Sequence, residues 1–422
     1  MASQADVQTI LKEYIHPNLT KIQESDRTLF NWFKKTKAVP ASTRASRIEM
    51  KVASGGRTKR IDFDAGQYPA GTNQKIMEST VSTVGLTHGR QLSELSKWAS
   101  DSDRKAIINA MTDLVTDALQ EFHLYFDMFL NAPNTGVLGI ILDTTTFTAP
   151  KYSVNAAGNP WGTALLREGN EYDIYDSTLA TLRAGGPYVI DADSGLDYEG
   201  QGVTFGASIT GAAALDRIVL SGGVNNAITG LPDLVSDASS GTIQGVSRAK
   251  EWVRARRVDA NSTALEWAYL RLALNKVRQR KGADRTKTLT PYMGFAQHHA
   301  YESMAQSITE LTKGRGNEDF DLMYGEGKIA GRDVLLGTHA DPTKVMWLDQ
   351  EAFIRPEVKS IDFKTDRGGN YIFPLYGAPA GGITAPIAAE AFWLCWQGNI
   401  ACVDFTNLSY VDELLVPSGY IS

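Results

Sequence analysis

Cysteine is almost absent from this sequence. Its 422 residues include two, Cys395 and Cys402. That is too few for a disulfide scaffold or a cysteine-rich zinc site, so stability has to come from packing and association. A cationic excess is missing as well. With 48 acidic and 42 basic residues the formal net charge is −6, which argues against a general nucleic-acid binder, because neutralising phosphates needs surplus Lys and Arg on the contacting face. If the protein lies next to DNA, it should do so without gripping it. Met1 to Ile15 mixes acids with its apolar residues and has no long apolar run, so it reads as neither signal peptide nor membrane anchor. The chain is therefore expected to be cytoplasmic when made. No nucleophile motif, cofactor fingerprint or metal triad stands out, and no catalytic, cofactor-binding or metal residue is assigned.

What is present is the composition of a folded protein: 43% hydrophobic residues, 21% charged, and 38 glycines that suggest many turns. The length exceeds what one compact core usually serves, so two or three lobes, or one body with elaborations, are expected.

Along the chain, Val7, Ile10, Leu11, Tyr14 and Ile15 hold helical spacing until Pro17. A second apolar cluster follows at Leu29, Phe30, Trp32 and Phe33, which together predict an N-terminal arm with short helices. From Arg47 to Asp64 the pattern alternates. Ile48, Met50 and Val52 fall on one side and Arg47, Glu49 and Lys51 on the other. Ser54-Gly55-Gly56 then predicts a turn, with a return strand through Ile61 and Phe63. Such a ribbon has few apolar residues to bury on its own body, so a neighbouring subunit is the simplest thing to hold it. Ser100 with Asp103 resembles a capping box. Ile107, Met111, Leu114, Ala118, Phe122, Tyr125 and Phe129 then keep helical spacing up to Pro133, predicting a helix from Asp101 to Asn131 about 45 Å long.

Thr135 to Gly230 is rich in Gly, Thr, Asp and Asn, with short strands predicted at Tyr188–Ile190, Val203–Phe205 and Ile218–Leu220. Helical spacing returns from Ser262 to Arg280 through Leu265, Tyr269 and Leu272, with Thr263 and Glu266 as a capping box and Gly282 as a stop. A third helix is predicted over Phe295 to Lys313, burying Met304, Ile308 and Leu311. In the tail Phe392, Leu394 and Trp396 alternate, Gly398-Asn399 turns, and Ile400 to Phe405 returns. That turn would set Cys395 opposite Cys402, and two reduced, buried thiols are expected there rather than a strained cross-strand disulfide.

Several clusters have competing readings. His298-His299 lies in a helix without a third ligand at a recognisable spacing and reads as ordinary histidines. Asp191, Asp193, Asp197 and Glu199 have the density of a calcium loop but not its order, so a solvated acidic turn is expected. Arg248, Lys250, Arg254, Arg256 and Arg257 around Trp252 suggest a nucleic-acid stripe. In a net-acidic chain, pairing within or between subunits is the better account. Arg278, Arg280 and Lys281 fit a helix C-terminus. Gly314-Arg315-Gly316-Asn317 lacks the spacing and ending of a phosphate loop.

The order arm, extended hairpin, long helix, helix-rich lobe and terminal strands resembles the HK97-type α+β fold of tailed-bacteriophage major capsid proteins. Local strings add to the resemblance. Gln67-Tyr68-Pro69-Ala70-Gly71 and then Thr83 to Leu95 are similar to the strand that leaves the family's extended loop. Ser262 to Gly282, Thr290-Pro291-Tyr292 and the helix to Lys313 resemble its axial domain. Lys328 to Val334 and Trp347-Leu348-Asp349 resemble strands common there. The likeness runs from about Arg44 onward. It implies an N-terminal arm over 1–44, an extended loop over 45–88, a peripheral domain with a spine helix over 89–134, a β-rich insertion domain over 135–230, an axial domain over 231–341, and C-terminal strands over 342–422.

The implied function is a self-assembling shell of pentamers and hexamers around a double-stranded DNA genome, without enzymatic activity, in the virion capsid. A bacterial nanocompartment shell of the same fold is the alternative, and a carbohydrate-active enzyme is a remote one. Implied partners are further copies of the chain, a portal protein, a decoration protein and a scaffolding protein, the last because no long N-terminal extension serves as a built-in scaffold. Lys51, Arg57, Lys59 and Arg60 are the expected inter-subunit contacts, against the plainer reading of a solvated edge kept from aggregating by its charges. Some members of the family join a loop lysine to a neighbour's asparagine. Lys51, Lys59 and Lys75 occupy that region, but nothing in their context marks one as reactive.

Overall fold

The computed structural model describes residues 29–37, 40–42, 45–53, 55–60, 67–93, 104–154, 160–192, 194–312, 328–365, 369–376 and 386–420. The chain divides into two units. One comprises Met1–Ala38, Thr83–Asp127 and Pro356–Asn399, the other Val39–Ser82, Met128–Arg355 and Ile400–Ser422.

In the first unit the strand Pro386–Gly398 is central. Along one edge it pairs antiparallel with Val84–Ser93, from Gly398↔Val84 to Ala389↔Ser93. Along the other it meets Phe373–Tyr376 and then Phe353–Phe363. The alternation expected at Phe392, Leu394 and Trp396 is observed, and all three are buried. Against this face lie Phe30, from the short helix Leu29–Trp32, and Phe122 and Phe126 from the helix Arg104–Asn131. The Phe126 ring stands 4.1 Å from Phe30 and meets Trp396 edge-on at 4.5 Å. Fully burying side chains of this size contributes roughly 1.5–3 kcal/mol each. Trp396 also donates its indole N–H to Glu357 (3.0 Å), a buried carboxylate whose other oxygen takes Lys35 Nζ at 3.2 Å.

The helix Arg104–Asn131 is the long helix that the spacing predicts, about 42 Å at the usual rise. It stops before Pro133, as expected. The Ser100–Asp103 cap lies outside the described residues, as do the arm helix over Val7 to Ile15 and the Gly314–Asn317 segment.

The second unit contains a mixed five-stranded sheet in the order Arg256–Thr263, Ser409–Leu414, Val345–Asp349, Leu289–Met293, Leu335–Leu336. The first and last pairs are parallel. Helix Trp267–Lys281 packs on it through Leu270, Ala273, Leu274 and Val277, against Val258, Val345, Trp347 and Val411. Helix Phe295–Thr312 adds Tyr301 and the half-buried Met304. The side chains of Ile308 and Leu311 lie outside the described residues. Lys328–Ile329 and Arg332–Asp333 form a hairpin around Ala330-Gly331, both at positive φ, as a two-residue turn of this hand requires.

Residues 135–230 form two small sheets, as the β-rich composition suggests. One is Val137–Ile140, Arg217–Leu220, Glu171–Tyr175 and Tyr188–Val189. The other is Leu196–Asp197, Gly202–Thr204 and Lys151–Ser153. Tyr172, Ile174, Ile190, Phe205 and Ile218 are fully buried. Asp216, 1% exposed, is held by a two-pronged bond from Arg183 at 2.9 and 2.6 Å.

Three expectations are corrected. The second helix begins at Trp267, not Ser262. Ser262 and Thr263 end the strand Arg256–Thr263, Thr263 Oγ1 donates to the Ala260 carbonyl, and no side chain caps the helix at Glu266. Leu272 is 46% exposed rather than buried. The tail does not fold back on itself either. Ala401–Cys402 pairs with Phe353–Ile354, so Cys402 stands opposite Phe353, while Cys395 stands opposite Thr87 and Asp362. Both cysteines are free, and burial pushes both thiols up in pKa, Cys402 furthest. A protonated thiol is a poor nucleophile.

Gly230 gives the fold one sharp test. A Cβ placed there would lie 1.8 Å from the Ala132 carbonyl oxygen. That approach lets Asp233 accept the Asn134 N–H at 2.6 Å just past the helix end. Gly230→Ala is expected to destabilise the protein by about 3 kcal/mol, because backbone atoms must move. Urea unfolding of the variant checks this, and a loss under about 0.5 kcal/mol, the range of an ordinary surface change, would contradict the close approach.

Candidate assembly hairpin

The alternating segment forms the expected strand, Ala45–Ala53, but its return partner differs from the expectation. The partner is Lys75–Ser82, in register from Ala45↔Ser82 to Ala53↔Lys75, with Pro40–Ser42 on the other edge. Arg57 to Arg60 are not in a strand, and Ile61 and Phe63 lie outside the described residues. Ile48 and Met50 are buried and Arg47 and Glu49 exposed, as the period of two requires. Met77, Ser79 and Val81 continue the inward face on the return strand, Met77 half-buried and the other two buried. The root of the hairpin therefore packs on its own unit, more than the sequence suggests. Arg47 and Glu78 form an exposed cross-strand ion pair at 2.8 Å, worth at most about 1 kcal/mol.

Beyond the last strand pair, Gly55 and Gly56 turn the chain at φ 73° and 84°. Gly56 N–H donates to the Thr72 carbonyl (2.9 Å), and Thr72 Oγ1 donates to the Gly56 carbonyl (3.0 Å). A Cβ on Gly55 would sit 2.6 Å from the Thr72 oxygen, so glycine is required there. These bonds close the base of a loop that carries Arg57, Lys59 and Arg60, all exposed and, among the described residues, without an acidic partner. Lys51 pairs through its backbone with Ile76, and its side chain lies outside the described residues. Lys75 is exposed at the strand start. Tyr68 is 81% and Ile76 55% exposed, a considerable apolar presentation for one hairpin. The three charges were legible in the sequence. The two exposed apolar groups were not singled out, although Tyr68-Pro69 stands next to the same loop.

The other clusters are committed elsewhere. His298 Nδ1 lies 3.6 Å from Glu302, and His299 lies against the Tyr420 ring. Among the described residues no group of three or more His, Cys, Asp or Glu could hold a metal ion. In the acidic turn Asp197 takes Lys151 Nζ and the Gly200 N–H, both at 2.7 Å, while Asp193 lies outside the described residues. In the basic stretch Arg256 bonds Glu251 at 2.5 Å and holds that carboxyl below its usual pKa. Arg257 bonds Asp412 at 3.0 Å and Glu413 at 2.6 Å, and Arg248 donates to the Asp233 carbonyl. Arg280 donates to the Glu251 and Arg254 carbonyls, and Lys281 pairs with Asp404. Arg256, Arg257 and Lys281 are thus paired with acids of the same chain. No helix among the described residues is long and apolar enough to cross a membrane.

No family model matches the sequence. No curated protein matches it either. Solved structures do. A chain of the cyanophage A-1(L) capsid asymmetric unit superposes with a TM-score of 0.50 at 12% identity, covering 91% of this chain and 90% of that one. The satellite phage P4 procapsid structure, which includes a size determination protein, gives 0.45 at 10% identity over 99% and 92%. That of Mycobacterium phage Adephagia gives 0.45 at 9% over 98% of both chains. At 12% identity it is the fold that is shared. This mixed helix-and-sheet chain has the fold found in the cyanophage capsid.

Proposed function

We propose that this chain, having the fold of a phage capsid chain, is a major capsid protein that closes into an icosahedral shell of pentamers and hexamers around double-stranded DNA. One observation carries the reading: the cyanophage capsid chain matches along nine-tenths of both molecules, which covers the arrangement as a whole and not one common motif. On the HK97-type reading, Arg104–Asn131 is the spine, the extended loop over 45–88 takes in the hairpin from Ala45 to Ser82, and the mixed sheet with helix Trp267–Lys281 belongs to the axial domain. Residues 135–230 are an insertion domain on the same scheme. The role is structural, not enzymatic. Net charge −6 suits a wall that encloses DNA without holding it.

A closed shell places one chain in slightly different surroundings, so a stiff body needs compliant, reaching edges. The hairpin loop, with Arg57, Lys59 and Arg60 exposed past its closed base, has the reach and the free charge to meet a neighbouring subunit. Lys51 belongs to the same set of contacts. Scaffolding, portal and decoration proteins are the further partners, and assembly takes place in the host cytoplasm.

The test is to express the full chain and examine it by sedimentation and negative-stain electron microscopy. Shells, tubes or capsomer rings are expected. A chain that stays monomeric even with a co-expressed scaffolding protein would end the shell reading.

A further inference from the structure

Gln244 joins the root of the hairpin to the strand Ala401–Cys402. Between the short strands Thr242–Ile243 and Val246–Ser247, Gln244 and Gly245 take positive φ, 52° and 74°, the pair of values that a tight two-residue turn needs. Glycine adopts this backbone freely, but glutamine meets a steric cost, so its presence calls for a reason.

Its contacts supply one. The Gln244 carbonyl accepts the Ser79 hydroxyl at 2.9 Å and the Thr80 N–H at 3.1 Å, both on the return strand of the hairpin. In the amide orientation that satisfies both groups, the Gln244 side-chain NH2 donates to the Cys402 carbonyl (2.9 Å) and its oxygen accepts the Cys402 N–H (2.7 Å). The amide thus pairs with Cys402 as an adjacent strand would. Gln244 is 9% exposed, Ser79 1% and Cys402 0%, so water does not readily replace these bonds. Farther along the return strand, Lys250 Nζ approaches Met77 Sδ at 3.3 Å, and beyond it Ile76 and Lys75 are exposed.

We propose that Gln244 is a positioning residue for assembly. It joins the hairpin root at Ser79–Thr80 to the strand Ala401–Cys402 and so sets the direction in which the hairpin leaves its unit, and with it the curvature of the contact the hairpin makes. This role rests on the reading of the hairpin as a subunit contact. Alanine would leave both Cys402 backbone groups buried without partners. Glutamate would set a second acceptor against the Cys402 carbonyl. Asparagine tolerates the left-handed backbone but is one methylene too short to reach.

The experiment compares full-length wild type with Gln244→Ala and Gln244→Asn by hydrogen exchange of the soluble chain and by shell diameter in electron micrographs. Both variants should exchange at Thr80 and Cys402 on the order of tenfold faster, with the strand-pairing amides of the hairpin unchanged and shell diameters more widely spread. If Gln244→Ala proves insoluble, Ser79→Ala removes only the hydroxyl donor and should show the same changes more weakly. Unchanged exchange at Thr80 overturns the proposal. So does a lowered melting temperature with unchanged diameters, the mark of a residue that only packs. Faster exchange in a chain that never forms shells, with or without a scaffold, overturns the shell reading itself and this role with it, and is told apart from the other failures by the exchange result.

Discussion

Trp396→Ala is expected to lower the free energy of unfolding by about 4 kcal/mol, the middle of the range for aromatic truncation in a core. The indole is 1% exposed and meets the Phe126 ring edge-on at 4.5 Å and the Phe30 ring at 6.1 Å. Its removal leaves a cavity at the point where the helix, the short N-terminal helix and the sheet of the first unit converge. A second cost comes from Glu357, which loses the indole donor at 3.0 Å and keeps the exposed Lys35 and the Ser360 hydroxyl at 3.1 Å. Trp396→Phe separates the two terms. It retains most of the ring volume and loses the N–H, so about 1.5–3 kcal/mol is expected, the usual contribution of a hydrogen bond to a charged group. Urea unfolding of the soluble chain checks both. A loss under 1 kcal/mol for the alanine variant would mean that the aromatic cluster does not hold this unit together.

The pattern that made Trp396 legible was local, and so was its failure. Period-two alternation identified the inward face of the strand Pro386–Gly398, but the turn expected at Gly398-Asn399 is not made: Glu357↔Gly398, Ile354↔Ala401 and Phe353↔Cys402 carry the chain on in one direction along the same partner strand. A Gly-Asn pair permits a tight turn without compelling one. Ala401–Cys402 runs on beside Phe353–Ile354, the start of the strand Phe353–Phe363 that Pro386–Gly398 already pairs with. The hairpin shows the same limit. Lys75–Ser82 does not alternate as Arg47–Val52 does: apolar Ile76 and Met77 are adjacent and the inward Ser79 is polar, so the nearer stretch through Ile61 and Phe63 is what the pattern predicts. Ser79 is buried because the Gln244 carbonyl receives its hydroxyl, a contact across 165 residues that no window could contain. Thr263 and Glu266 read as a helix cap worth about 1 kcal/mol. The parallel pairing of Arg256–Thr263 with Ser409–Leu414 outweighed it, carrying the strand through Thr263↔Leu414. For the proposed assembly surface, charge and its placement after Gly55-Gly56 were visible. The anchoring of its root was not.

Reversing Arg57, Lys59 and Arg60 to glutamate together is expected to abolish shells while leaving the subunit folded. The three charges act together at one contact. Each side chain is exposed, and an exposed ion pair contributes at most about 1 kcal/mol, so any single reversal should change assembly by a few-fold or less. Three reversals turn attraction into repulsion at the same contact, for about 3 kcal/mol or more per subunit. That raises the concentration needed for assembly by at least roughly 100-fold. Folding should not register the change, because among the described residues none of the three pairs with an acid of its own chain, and the glycine-closed base that precedes them, held by Gly56 and Thr72, is untouched. The melting temperature of the soluble triple variant should therefore match wild type within about 1 °C, a shift equivalent to about 1 kcal/mol for a chain of 422 residues. Salt supplies an independent handle. Screening shortens the reach of exposed charges to about 8 Å at physiological ionic strength and about 3 Å at 1 M, so wild-type assembly should weaken with added salt and the triple variant should partly recover. Shells forming from the triple variant at the wild-type concentration and salt dependence would return these residues to a solvated edge whose charges only keep the loop soluble.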